Sequence, residues 1–227
     1  MRHVLLDIEG TTTAISFVYD VLFPYAAKRL PTFITERWSD PAMAAGCQAV
    51  LADATAAERI LPDPQAVIAV IQRQMAGDVK ATGLKALQGL VWREGYESGE
   101  VKGHVYDDVP TQFKNWKAAG RQVAIYSSGS VLAQQLLFRH SVAGDLTSML
   151  VNHYDTAIGP KRDAASYRAI ASHWGHAPQD IIFGTDQPAE AAAAVAAGMH
   201  AVVIMRPGNP PLPADLPFAV HADLNSI

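Results

Sequence analysis

Asp7 follows an apolar run, Val4-Leu5-Leu6, and is followed by Ile8, Glu9, Gly10 and three threonines. The run reads as a short buried strand that Gly10 ends. Two carboxylates, a glycine and several hydroxyls therefore stand where a strand stops. Open α/β sheets bind ligands outside the carboxyl ends of their strands. Turns also recruit Asp, Gly and Thr for structural reasons, so this stretch alone leaves a capping role open. Residues 122–126 form a second apolar run, which meets Ser127-Ser128-Gly129-Ser130. Residues 181–183 form a third, which meets Gly184-Thr185-Asp186, and a loop carries Lys161 after Gly159-Pro160.

Taken together these groups have one chemical logic. A carboxylate can take up a phosphoryl group as an aspartyl-phosphate. Two anions repel, so the site needs a hard cation such as Mg²⁺, held by oxygen ligands. Donors and a positive side chain must also meet the phosphoryl oxygens, where charge stabilisation does most of the catalysis. In that scheme Asp7 and Asp186 supply metal ligands, Ser127 and backbone amides supply donors, and Lys161 supplies the cation. Each residue also has a plainer reading. Ser127 and Ser128 are suited to cap the next helix, Asp186 to act as an N-cap, and Lys161 to be a solvated lysine. Glu190 reads as a first-turn acid that offsets a helix dipole, with orienting a water next to the site as its alternative. His104, His140, His153, His173 and His176 lack metal-ligand spacing and read as surface or local bonding groups.

The elements that position these groups follow from periodicity. Val18, Val21, Leu22 and Tyr25 recur at helical spacing until Leu30-Pro31 interrupts. Residues 42–60, 64–75 and 82–99 read as three further helices, with no convincing strand among them. From Tyr106 the texture changes. Helices are predicted over 109–119, 131–138, 164–174 and 190–197, and strands over 122–126, 181–183 and 201–205. Residues 149–151 are a short apolar piece, and Arg206-Pro-Gly-Asn reads as a stiff surface loop. Alternating strands and helices mean a doubly wound parallel sheet with right-handed crossovers, so the fold class is α/β. The expected organisation is a core of residues 1–16 and 105–227 with an inserted all-helical cap, 17–104. Such a cap can close over strand ends and exclude water. Within it, Gln88, Trp92 and Arg93 on the last helix are suited to packing or to touching a substrate.

Bulk properties narrow the setting. The chain has 227 residues, 49% of them hydrophobic and 18% charged, which supports a sizeable core. A net charge of −4 argues against nucleic acid or an anionic membrane as the main partner. One cysteine, Cys47, excludes an internal disulfide and fits a reducing compartment. No leader-like N-terminal pattern or membrane-length apolar stretch is evident. A soluble cytoplasmic protein is expected. No coiled coil is evident, and a monomer is expected.

At Asp7-Ile8-Glu9-Gly10-Thr11, Ser127, Lys161 and Gly184-Thr185-Asp186 the chain resembles the haloacid dehalogenase superfamily, whose four motifs occur here in order. DIEGTTT, FVYDVLFPY, LKALQGLVW, YSSGS, LLFRHS, DTAIGPK and VVIMRPGN together resemble the enolase-phosphatases of methionine salvage, from residue 4 to about 209. The resemblance implies that Asp7 is nucleophile and Mg²⁺ ligand. It implies that Glu9 adds a metal contact through its backbone carbonyl and acts as acid/base, and that Asp186 completes the protein ligands. Ser127, Ser128 and Lys161 would bind the substrate phosphate. The implied substrate is 2,3-diketo-5-methylthiopentyl-1-phosphate, enolised and then dephosphorylated to an acireductone. The superfamily usually has Asp where this chain has Glu9; an enolate leaving group beside a carbonyl needs less protonation than an alkoxide. Three alternatives stay open: a phosphatase for another small phosphorylated metabolite, a dehalogenase using the same aspartate, and a non-catalytic phospho-ligand binder.

Overall fold

The structure, a computed structural model, describes residues 2–60, 63–77, 79 and 81–227. The chain divides into two compact units, one of Met1–Val18 with Lys102–Ile227 and one of Tyr19–Val101. Among the described residues no helix is long and apolar enough to cross a membrane.

After a first strand, β1 (His3–Leu6), a π-helical stretch, Phe17–Leu22, leads into the helical unit. It runs directly into α1 (Phe23–Glu36), which continues through Pro31 rather than stopping there. Proline removes the amide that would bond the carbonyl of Ala27. The loss is outweighed because Ala26, Leu30, Phe33 and Ile34 form one buried stripe that spans it. Next comes α2 (Pro41–Ala52), capped by Asp40, whose carboxylate accepts the Ala42 amide at 2.9 Å. The predicted helix over 42–60 is in fact broken. Thr55 and Glu58 form a reciprocal capping box that starts a short α3 (Ala56–Arg59). The box is legible as Thr-Ala-Ala-Glu, but the continuous alanines around it mask the break. α4 (Gln65–Ala76) and α5 (Thr82–Ser98) complete the unit, and α5 packs on both α1 and α2. Trp92 is buried in that packing and donates its indole N–H to the Leu22 carbonyl at 3.0 Å. Gln88 is buried as well, whereas Arg93 is exposed.

The other unit alternates helices and strands. After α6 (Asp108–Ala118) come β2 (Val123–Tyr126), α7 (Val131–Arg139), β3 (Leu150–Tyr154), α8 (Ala164–Trp174), β4 (Ile181–Thr185), α9 (Pro188–Ala196), β5 (His200–Ile204) and β6 (Val220–His221). The six strands form one parallel sheet in the order β3-β2-β1-β4-β5-β6. β3 extends beyond the apolar piece 149–151 to include Asn152, His153 and Tyr154. It lies at an edge, half-exposed, where polar residues are tolerated. The two-residue β6 has no signal of its own in the sequence. Leu5, Tyr126, Tyr167, Ile170 and Phe183 are wholly or almost wholly buried in one apolar cluster beside the sheet.

Strand order decides where a ligand can sit. β1 pairs with β2 on one side and with β4 on the other, so the chain's direction of winding reverses between β1 and β4. That reversal opens a crevice at the carboxyl edge. Leu6 pairs with Gly184 in register, so the residues that follow each strand, Asp7 and Asp186, emerge beside one another.

Candidate active site

The turn after β1 is held by its own backbone. The amides of Thr11, Thr12 and Thr13 all donate to the Ile8 carbonyl, and the Gly10 amide donates to the Thr13 carbonyl at 2.8 Å. Gly10 has φ +68°, a conformation that L side chains rarely adopt. A methyl group on it would stand 2.7 Å from Asp186 Oδ2 and 2.9 Å from Asn209 Oδ1, so only glycine fits here. Asp7 is 4% exposed, and its Oδ1 accepts the Ile8 amide at 2.7 Å. Glu9 is half-buried in the same turn and bridges to Thr13 through its backbone.

Lys161 reaches this carboxylate. Its Nζ lies 2.7 Å from Asp7 Oδ1 and 2.7 Å from Glu190 Oε2. The loop that carries it is fixed from several sides. The Tyr167 hydroxyl donates to the Lys161 carbonyl at 2.7 Å, Ser166 to the Pro160 carbonyl at 2.8 Å, and Tyr126 to the Gly159 carbonyl at 2.9 Å. Burial alone would discharge an ammonium here, but the two carboxylates reverse that and raise its affinity for the proton above the ordinary value.

Thr185 ties the opposite side together. Its hydroxyl donates to Glu190 Oε2 at 3.0 Å and lies 3.4 Å from Asp7 Oδ2. Burial, and then the charge of Asp7, push Glu190 up from the usual carboxylate range. An acid paired with a lysine would ordinarily go down. Here burial dominates, and repulsion from Asp7 adds to it against the attraction of Lys161. Asp186 is buried too, and is pushed up to about 6 by burial and then by Asp7. Gln187 donates its side-chain amide to Asp186 Oδ2 at 2.8 Å.

The site thus buries Asp7, Asp186 and Glu190 with one lysine among them. That negative surplus, raised on hard oxygens, suits a divalent cation. Among the described residues no group of three or more His, Cys, Asp or Glu side chains is gathered as a metal cluster. A cation here would therefore be held by the carboxylates of Asp7 and Asp186 and completed by other oxygens. The cradle over Gly10, faced by Asp186 Oδ2 and the unpartnered Asn209 Oδ1, is lined for such a guest.

Ser127 and Ser128 follow β2, the strand next to β1. Ser127 is buried, and its Oγ accepts the Gly129 amide at 3.1 Å, which leaves the hydroxyl hydrogen to donate. Ser128 is half-exposed. Neither caps α7. Ser130 does, accepting the Ala133 amide at 3.3 Å. Nor is Asp186 the N-cap of α9, a place taken by Gln187. The structure brings Asp7, Lys161 and Asp186 together and puts the two serines at the adjoining strand end.

Three residues read as ordinary in the sequence belong to this environment. Glu190 does stand in the first turn of α9, but it is 8% exposed and bonded to Lys161 and Thr185. Little in the sequence marks it: α9 buries Glu190 with Ala191, Ala193 and Ala194 and exposes Ala189, Ala192 and Val195, and alanine does not tell the two faces apart. Arg206 is 5% exposed, and its guanidinium holds Asp108 through two 2.9 Å bonds while its Nε donates to the Thr11 carbonyl. Asn209 donates to the Gly10 carbonyl at 2.9 Å. The loop lies at the surface, with Pro207 and Gly208 exposed, but it turns Arg206 and Asn209 inward.

The chain is similar to known proteins over most of its length. A family profile for haloacid dehalogenase-like hydrolases matches residues 1–198. A protein of Drosophila persimilis named enolase-phosphatase E1 is 45% identical over 237 residues, which cover 100% of this chain and 94% of that one. Its Drosophila melanogaster namesake is 46% identical, covering 94% of this chain and 87% of its own length. The crystal structure of the UTR4 protein of Saccharomyces cerevisiae superimposes with a TM-score of 0.84 at 34% identity, covering 99% of both chains. CbbY of Rhodobacter sphaeroides, solved in complex with phosphate, shares the fold at TM-score 0.58 and 14% identity, covering 98% of this chain and 95% of that one. With an ordered set of motifs at one sheet edge and relatives this similar over their whole length, the chain belongs to the haloacid dehalogenase-like hydrolase family and, within it, to the enolase-phosphatases.

Proposed function

We propose that this enolase-phosphatase acts on 2,3-diketo-5-methylthiopentyl-1-phosphate, enolises it, and hydrolyses the enol phosphate to an acireductone and phosphate, as a step of methionine salvage. It does so with Mg²⁺, as a cytoplasmic monomer with a small-molecule substrate and neither nucleic acid nor membrane as partner. The observation that carries the reading is the 2.7 Å ion pair between Lys161 and Asp7, with a second buried carboxylate, Asp186, raised by burial and then by the charge of Asp7.

In this reading Asp7 is the nucleophile. Its Oδ1 is held by Lys161 and by the Ile8 amide, so Oδ2 is the oxygen that attacks phosphorus. The bond from Oδ2 to phosphorus forms as the bond from phosphorus to the enol oxygen breaks, and its electron pair leaves on the enolate. Water then attacks the aspartyl-phosphate and frees Asp7. The Lys161 ammonium stands within reach of the phosphoryl oxygens and neutralises charge as it spreads over them. Ser127 donates its hydroxyl hydrogen to the same group, and Ser128 joins it at the strand end. Glu9, as acid, gives a proton to the departing enolate and, as base, takes one from the attacking water. Asp7, Asp186 and the backbone carbonyl of Glu9 would hold the Mg²⁺, which when bound neutralises the repulsion between carboxylates and phosphate.

Incubation of the protein with the diketo-phosphate and Mg²⁺ tests this. Release of phosphate together with a near-ultraviolet acireductone absorbance is expected. Phosphate release with no enol intermediate or acireductone removes the enolase half and leaves a simple phosphatase.

A further inference from the structure

The loop after β5 sends two side chains into the turn that carries Asp7. Arg206 takes the Thr11 carbonyl at 2.9 Å, and Asn209 takes the Gly10 carbonyl at 2.9 Å. The two carbonyls that follow Glu9 are thereby each held by this one loop. The loop itself is anchored firmly. Asp108 grips the Arg206 guanidinium with both oxygens and also accepts the Leu224 amide at 2.8 Å, while Tyr106 lies under the guanidinium, 4.2 Å from ring centroid to carbon. The Asn209 amide donates to the Arg206 carbonyl at 3.1 Å, and the Asn209 Nδ2 also contacts the Ile204 carbonyl at 3.3 Å.

These bonds fix which way the Asn209 amide faces. Its nitrogen points at two carbonyls, so its Oδ1 must point the other way, into the cradle over Gly10. There it is buried and has no hydrogen-bond partner among the described residues. This oxygen and Asp186 Oδ2 both face Gly10 from the same side, 2.9 Å and 2.7 Å from where a β-carbon on that residue would stand. Asp186 Oδ2 already takes the Gln187 side-chain amide, but Asn209 Oδ1 has no donor, and a buried acceptor left so is unfavourable. A water on a divalent cation is such a donor, with both hydrogens directed away from the metal.

We propose that Asn209 is a positioning residue of the phosphatase site: its nitrogen fixes the turn through the Gly10 carbonyl, and its oxygen accepts from a water of a divalent cation held by Asp7 and Asp186. The inference rests on the reading of that pair as a cation site, and it adds a residue that never touches the substrate. Partners of this outer kind alter metal affinity by about tenfold or more when lost.

Calorimetric titration with MgCl₂ alone, on wild type, Asn209→Leu, Asn209→Ala and Asp186→Asn, separates the two claims. Wild type is expected to bind Mg²⁺ and D186N to lose binding. N209L is expected to bind on the order of tenfold more weakly. At limiting Mg²⁺ its kcat should fall by a similar factor while KM moves less than about twofold. A merely structural asparagine would lower the melting temperature and leave the Mg²⁺ affinity of the folded protein unchanged. Should N209L fail to fold, N209A carries the same reading, since it removes the amide oxygen and nitrogen with a smaller change of shape. Wild-type affinity in both Asn209 variants, with D186N still defective, overturns the positioning role alone. Absence of Mg²⁺ binding by the wild type overturns that role and the cation site with it.

Discussion

Asp7 and Lys161 form one ion pair, yet their removal should move stability in opposite directions. Lys161 is the only cation bonded to both Asp7 and Glu190 among the described residues. Lys161→Met leaves two buried carboxylates uncompensated, and breaking a buried pair from one side costs about 3–5 kcal/mol. Its turnover should also drop on the order of 10²-fold or more, the scale of losing one charge-stabilising group. Asp7→Asn removes the nucleophile and should abolish phosphate release. It also removes the charge that raises both Asp186 and Glu190, while Lys161 keeps Glu190 as partner. The midpoint of urea unfolding should therefore hold or rise in D7N and fall in K161M. Equal destabilisation in the two variants would mean that the charge of Asp7 adds nothing to what burial does to these acids.

At the scale of elements, the sheet edge was legible and the clamps on it were not. Apolar runs ending at Asp7, Ser127 and Asp186 announce three parallel strands and their catalytic ends, because burial on both faces makes such strands continuous in hydrophobicity. Arg206 and Asn209 follow the same kind of run, but Pro-Gly-Asn-Pro has the composition of an exposed turn, and nothing local says that both side chains point inward. Pro31 misleads for the opposite reason. A local rule ends the helix there, and long-range packing of Leu30, Phe33 and Ile34 carries it on. Each case yields a measurement. Arg206→Met should destabilise by about 3–5 kcal/mol, since Asp108 is left buried without its cation, and R206M/D108N should recover part of the loss. Pro31→Ala restores an amide to a helix that already runs through this position, so thermal unfolding should shift upward, with a gain of about 1 kcal/mol or more. Loss of stability in P31A would show instead that the ring restricts the unfolded chain more than it disturbs α1.

For the molecule as a whole, the crowding of acids at one strand edge couples folding to pH and to cation binding. Asp186 holds its proton up to about pH 6 in the folded chain, against an ordinary value of 3.8. Below about pH 4 folded and unfolded chains are both protonated there, and the contribution of this group to stability is fully present. Between about 4 and 6 the unfolded chain releases the proton while the folded one keeps it, so stability falls as pH rises, and above that window the loss is complete. Glu190, raised by the same neighbours, acts in the same direction. A divalent cation at Asp7 and Asp186 opposes this slope, because it binds the deprotonated carboxylates and competes with the proton. Added MgCl₂ should therefore raise the melting temperature of the wild type more at pH 8 than at pH 5. Asp186→Asn should flatten the metal-free pH dependence over the window from 4 to 6 and abolish most of the response to MgCl₂. A shift of equal size at both pH values in the wild type would mean that the cation binds elsewhere, and that the paired acids at the ends of β1 and β4 do not share it.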